Sequence, residues 1–113
     1  MRVLILEDEP IIAIDLEDIV TSGKAGVECV LAASIDSARR LLETGVDFAL
    51  LDINIGHDHN RSYGIAAELM QRETPFCFVS STSRAVPKAF AGIPFVAKPF
   101  RPSQILEALP AAN

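Results

Sequence analysis

Residues 2 to 20 read RVLILEDEPIIAIDLEDIV, and both periods of an alternating fold lie in that one stretch. Arg2 to Leu6 is a short apolar run of strand length, stopped by Glu7, Asp8 and Glu9. Pro10 follows, and its fixed φ suits an opening helical turn. Ile12, Leu16, Ile19 and Val20 then recur at helical spacing until Ser22 and Gly23 end the pattern. A continuous apolar strand that passes directly into an amphipathic helix is one βα unit.

The unit recurs along the chain. Candidate strands cover residues 2–6, 26–32, 47–51, 76–79 and 93–97, and their unbroken apolar character predicts interior strands covered on both faces. Ser34 or Asp36 caps a second helix that carries Ala38, Leu41 and Leu42 and stops at Gly45. A third runs over residues 63–73 with Ile65, Leu69 and Met70 inward, and Pro102 opens the last, with Ile105, Leu106 and Leu109 as its buried stripe. Between Ser80 and Ile93, Pro87 interrupts a helix and Gly92 ends one, so the fourth helix should be short or absent. The sum is an α/β domain with helices on both faces of a parallel sheet, expected to occupy residues 1–113.

Composition sets the outer limits. A chain of 113 residues matches one domain, and Leu, Ile, Val and Phe make up roughly 32% of it, above the roughly 20% below which disorder prevails. A net charge of −5 argues against direct nucleic-acid binding, which usually needs a basic stripe. No apolar run is long enough to suggest a membrane span, and Arg2 to Leu6 meets its acids too soon for a signal peptide, so a cytoplasmic protein with no membrane partner is expected. Cys29 and Cys77 lack metal-ligand spacing and read as small core residues.

In an open parallel sheet, ligands bind beyond the carboxyl ends of the strands. The first strand ends in Glu7-Asp8, the third in Asp52, the fourth in Ser80 and the fifth in Lys98. Each has an ordinary use alone, as a helix-end charge, a turn cap, a loop hydroxyl or a solvated cation. Together they bring three acids, a hydroxyl and a lysine to one edge. Crowded carboxylates repel, and a hard divalent cation such as Mg²⁺ relieves the repulsion. A carboxylate beside that metal is a nucleophile toward phosphorus, and Asp52, central in the sheet, is the best candidate. The acids carry about −3 and Mg²⁺ with Lys98 about +3, so a phosphoryl dianion is tolerable only with metal present. Alignment and charge neutralisation are most of what phosphoryl transfer requires.

The motifs LILEDEP at 4 to 10, FALLDIN at 48 to 54, PFCFVS at 75 to 80 and FVAKPF at 95 to 100, in this order and spacing, resemble the receiver domain of two-component response regulators. The resemblance spans residues 1 to 110 and implies a CheY-like, flavodoxin-like doubly wound sheet of strand order 2-1-3-4-5. It implies Asp52 as phosphoacceptor, Asp8 as a direct Mg²⁺ ligand, Glu7 as a ligand directly or through water, and the backbone carbonyl of Asn54 as another. Lys98 would pair with Asp52 or the phosphoryl group, and the Lys98-Pro99 peptide would be cis. Ser80 would be the switch hydroxyl and Phe95 the switch aromatic. The implied partners are a histidine kinase or phosphotransfer protein and an unnamed downstream protein. PFCFVSST is similar to the PFxFAT-type motif of single-domain receivers paired with HWE-class histidine kinases, departing from it after Phe78.

Two further readings use the same residues. A binding module that docks constitutively without phosphorylation has no physical need for the acid cluster, Ser80 and Lys98. A haloacid-dehalogenase-type phosphatase places its nucleophilic Asp after the first strand, where this chain has Glu7-Asp8-Glu9 and lacks the length for a cap domain. No phosphate-binding glycine motif occurs. His57-Asp58-His59 reads as a solvated loop, with His57 near enough in sequence to Asp52 to influence water access. The expected protein is a signalling switch and not an enzyme.

Overall fold

The computed structural model describes residues 1–56, 60–81 and 86–110. His57-Asp58-His59 therefore lies outside the described residues. The elements are β1 (Arg2–Leu6), α1 (Pro10–Gly23), β2 (Glu28–Ala32), α2 (Ile35–Glu43), β3 (Phe48–Leu51), β4 (Asn54–Ile55), β5 (Asn60–Arg61), α3 (Tyr63–Gln71), β6 (Phe76–Ser80), a 3-10 turn (Lys88–Phe90), β7 (Phe95–Ala97) and α4 (Pro102–Ala108). Five parallel strands form one sheet in the order β2-β1-β3-β6-β7, which is the expected 2-1-3-4-5. The sheet is the parallel α/β arrangement that the βα repeats imply, in the flavodoxin-like order that the resemblance implies.

Side-chain alternation divides the core into two layers. Val3, Ile5, Phe48, Leu50, Cys77, Val79 and Val96 point toward α1 and α4. Leu4, Leu6, Ala49, Leu51, Phe76 and Phe78 point toward α2 and α3. The strands β1, β3 and β6 are buried on both faces, as their continuous apolar runs require. At the two edges the expectation of fully interior strands fails: Glu28 and Leu31 of β2 and Ala97 of β7 are exposed, because an edge strand has a neighbour on one side only.

Local chemistry sets the helix ends. Pro10 and Pro102 open α1 and α4, and the Ser34 hydroxyl caps α2 by accepting from Ser37 N at 3.1 Å. Helix α3 stops at Gln71, two residues before the expected end. Glu73 there takes φ 56°, and the N–H of Thr74 returns to Leu69 O at 2.9 Å, closing the helix. Ile65 and Leu69 are buried as expected, but Met70 is 44% exposed: it falls beyond the edge of the stripe that Ile65, Ala66 and Leu69 define. In the Ser80–Ile93 interval the described residues form one 3-10 turn that begins after Pro87, in line with a curtailed fourth helix.

The hairpin β4–β5 was not expected from the sequence. Its strands are two residues each, below the length at which periodicity is readable, and Gly56 at φ 79° turns the chain after β4. Cys77 is fully buried and Cys29 half-buried, and burial pushes their thiols up to about 12 and about 11, so both are inert packing groups. No helix among the described residues is long and apolar enough to cross a membrane.

Candidate functional site

The register of the sheet assembles the charged edge. Leu6 pairs with Leu51, so Glu7 and Asp52 are the next residues of adjacent strands, and the Asp52 N–H continues the ladder to Leu6 O at 2.9 Å. On the other side Ser80 pairs with Ala97, and the Lys98 N–H donates to Ser80 O at 3.0 Å. Ile5, Leu50 and Val96 all face the α1/α4 layer, and two residues further on Glu7, Asp52 and Lys98 inherit that side. Three charged side chains are thereby brought together from β1, β3 and β7.

They touch. Lys98 Nζ donates to Glu7 Oε1 at 2.9 Å and Oε2 at 3.1 Å, and to Asp52 Oδ2 at 3.2 Å. Glu7 and Asp52 are buried, at 2% and 7% exposure. Asp8, half-buried on the loop that enters α1, accepts from the backbone N–H of Gly56 at 2.9 Å. One carboxylate oxygen each from Glu7, Asp8 and Asp52 lie within 4.8 Å of one another. This is the acid cluster expected from the strand ends.

Its electrostatics follow from burial. Loss of water around Glu7, then its hydrogen bonding and charge repulsion with Asp52, push the Glu7 carboxyl up to about 8, against the partial opposition of Lys98. Burial also works against the charge on Lys98, but Glu7 and Asp52 together outweigh it and hold the ammonium above its ordinary value. Among the described residues one lysine thus faces more acid than it can neutralise. Among the described residues the three converging carboxylates form a hard-oxygen donor set, suited in chemistry to Mg²⁺.

The remaining expected residues occupy the same end of the sheet. Asn54 opens β4, half-buried, two residues past Asp52. Ser80 is buried at the end of β6, and Phe95 is half-buried at the start of β7. Phe95 pairs with Phe78, and Ala97 pairs with Ser80, so Phe95 and Ser80 are two ladder steps apart at the same end of the sheet. The Lys98-Pro99 peptide is cis, as expected. The Lys98–Glu7 pair and the Gly56–Asp8 bond were not foreseen; the acidic run at 7 to 9 was the available signal for the first, and Gly56 for the second.

No protein-family model matches the chain, and no curated protein matches it. Solved structures do. SdrG from Sphingomonas melonis Fr1 is 31% identical, with a TM-score of 0.81 over 96% of this chain and 92% of that one. The chain belongs to the response regulator receiver family. This receiver also superposes on the response regulator PhyR from Brucella abortus, 30% identical with a TM-score of 0.79, where it covers 95% of its own length and 45% of that chain. A CheY-like receiver domain from Methylobacillus flagellatus, at 19% identity and a TM-score of 0.78, shares the fold over 96% of this receiver and 97% of that chain. The receiver's role is accordingly in response-regulator signalling.

Proposed function

We propose that this receiver domain, residues 1–113, is a phosphorylation switch of a two-component system, in which Asp52 accepts a phosphoryl group from the histidine of a histidine kinase or phosphotransfer protein. The observation that carries the proposal is the contact of the Lys98 ammonium with Asp52 and Glu7 at a rim where a third acid, Asp8, also converges. An Asp52 carboxylate oxygen forms the bond to phosphorus as the donor's phosphorus–nitrogen bond breaks, and the imidazole leaves with that electron pair. Glu7, Asp8, Asp52 and the backbone carbonyl of Asn54 would hold Mg²⁺. When bound, the ion offsets the charge of the acids and of the phosphoryl oxygens.

Lys98 follows the charge: its ammonium, held between Glu7 and Asp52 before transfer, pairs with the phosphoryl group afterwards. The Ser80 hydroxyl donates to a phosphoryl oxygen, and Phe95, two ladder steps away on the neighbouring strand, turns inward as it does so. A differential stabilisation of a few kcal/mol is enough to shift such an equilibrium. The changed surface is read by a downstream protein or relieved by onward phosphotransfer, in the cytoplasm and with no enzymatic turnover of its own. SdrG from Pseudomonas melonis Fr1 has a BeF3-activated conformation, which supports a phosphoryl-type trigger for this receiver as well. PhyR of Bartonella quintana is an anti-anti-sigma factor, which supports output through protein binding.

The test is mobility on a phosphate-affinity gel after incubation with a small phosphodonor and Mg²⁺. Wild type should give a retarded band that chelation before the donor is added abolishes, and Asp52→Ala should give none. Equal behaviour of the two proteins refutes the proposal and leaves the constitutive binding module in its place.

A further inference from the structure

The 3-10 turn Lys88–Phe90 is too short to be stable by itself, and its one buried residue is Phe90. Phe90 is held by rings. It stacks on Tyr63 with centroids 5.7 Å apart and planes 24° apart, and meets Phe78 edge-on at 5.8 Å and Phe76 at 6.5 Å. Tyr63 in turn meets Phe78 edge-on at 6.2 Å. Whatever displaces the Tyr63 ring therefore removes the stacked partner of Phe90 and leaves it only edge-on contacts among the described residues.

Tyr63 is tied to the candidate phosphoacceptor by a very short path. The N–H of Ser62, its chain neighbour, donates to the carbonyl of Ile53 at 2.9 Å, and Ile53 is bonded to Asp52. The hairpin register Asn54–Arg61 braces the same two strands. At this corner the Ser62 hydroxyl is fully buried and has no hydrogen-bond partner among the described residues, although Ser62 stands at the N-cap of α3 where such a hydroxyl usually bonds the helix.

Resting on the phosphoacceptor reading of Asp52, we propose that Tyr63 is a positioning residue: its stack on Phe90 transmits the state of the Asp52 loop to the segment from Val86 to Ile93, in parallel with the Ser80–Phe95 route. A helix would hold this segment by its own backbone; a single 3-10 turn held by the side-chain packing of Val86, Phe90 and Ile93 depends on its neighbours, and Tyr63 is the ring stacked on Phe90. The coupling passes through packed rings and one backbone hydrogen bond, a contiguous route of the kind that carries such effects.

The test is amide NMR of the full chain with Mg²⁺ and beryllofluoride, a phosphoryl mimic, added to wild type, Tyr63→Leu, Tyr63→Phe and Phe90→Leu. In wild type the shifts should change at Gly56 and also at Ala91, Gly92 and Ile93. Tyr63→Leu and Phe90→Leu should keep the Gly56 change and lose about two-fold or more of the changes at 91 to 93. Tyr63→Phe, which keeps the ring, should behave as wild type, which a loss of general stability would not explain. Wild-type responses at 91 to 93 in both leucine variants overturn the inference while leaving the phosphoacceptor reading intact; no wild-type response at Gly56 overturns both.

Discussion

Lys98 Nζ lies nearer to the Glu7 carboxylate, at 2.9 and 3.1 Å, than to that of Asp52, at 3.2 Å. The ammonium is shared between a strand-one acid and the candidate phosphoacceptor, both buried, so it offsets part of the pocket's charge before any phosphoryl group arrives. Removing it strands two carboxylates in a poorly hydrated site.

Lys98→Ala should therefore lower the stability of the metal-free protein by about 2 kcal/mol, since loss of one partner leaves buried charge unpaired. Urea denaturation in EDTA checks this. An unchanged midpoint would mean that the Lys98 contacts contribute nothing to the fold.

The Glu7 carboxyl, pushed up to about 8 from an ordinary 4.5, makes stability depend on pH in a definite direction. The folded state binds this proton more tightly than the unfolded state, so the contribution is fully present below about pH 4.5 and is lost as pH rises through about 8. In EDTA the melting temperature of wild type should fall across that window more steeply than that of Glu7→Gln, whose neutral amide does not titrate. Mg²⁺ binding should release a proton at pH 7, measurable as a buffer-dependent calorimetric heat. Parallel melting profiles for the two proteins would contradict the assignment.

Glu73 holds a positive φ of 56° at the end of α3, a conformation that costs an L-residue and suits glycine. Glu73→Gly should stabilise the protein by about 0.5–1 kcal/mol, read as a raised urea midpoint with the slope unchanged. A lower midpoint would show that the Glu73 side chain has a role of its own.

Ser62→Ala removes a buried hydroxyl that lacks a partner among the described residues. Where most serine-to-alanine changes at a helix N-cap cost stability, this one should be neutral or stabilising by up to about 1 kcal/mol. Thermal melts decide, and a loss above that size would mean the hydroxyl is bonded in solution.

Much of this was legible because the chemistry of the site sits at strand ends. Arg2 to Leu6 and Phe48 to Leu51 are apolar without a break, so their first polar followers, Glu7 and Asp52, mark where the sheet stops and its edge begins. The same logic brought Lys98 to that edge from β7. The shared side of the sheet then follows from the two-residue period of strands, which ties Glu7, Asp52 and Lys98 to Ile5, Leu50 and Val96. The unforeseen features depend on residues distant in sequence or on pairs too short for a period. Nothing in FALLDIN announces that Ile53 accepts from Ser62, and Tyr63 and Phe90 look like unrelated aromatic residues until the fold stacks them. Met70 was misplaced because one helical position separates it from Leu69, enough to turn it from the core to the surface.

The central claim is that Asp52 forms an acyl phosphate. Incubation with a small phosphodonor and Mg²⁺, followed by borohydride reduction and peptide mass spectrometry, converts an aspartyl phosphate to homoserine and reports its position. A single homoserine at position 52, absent when Mg²⁺ is chelated, is the predicted result. Reduction at another acid, or no conversion anywhere under conditions that phosphorylate a control receiver, would contradict it.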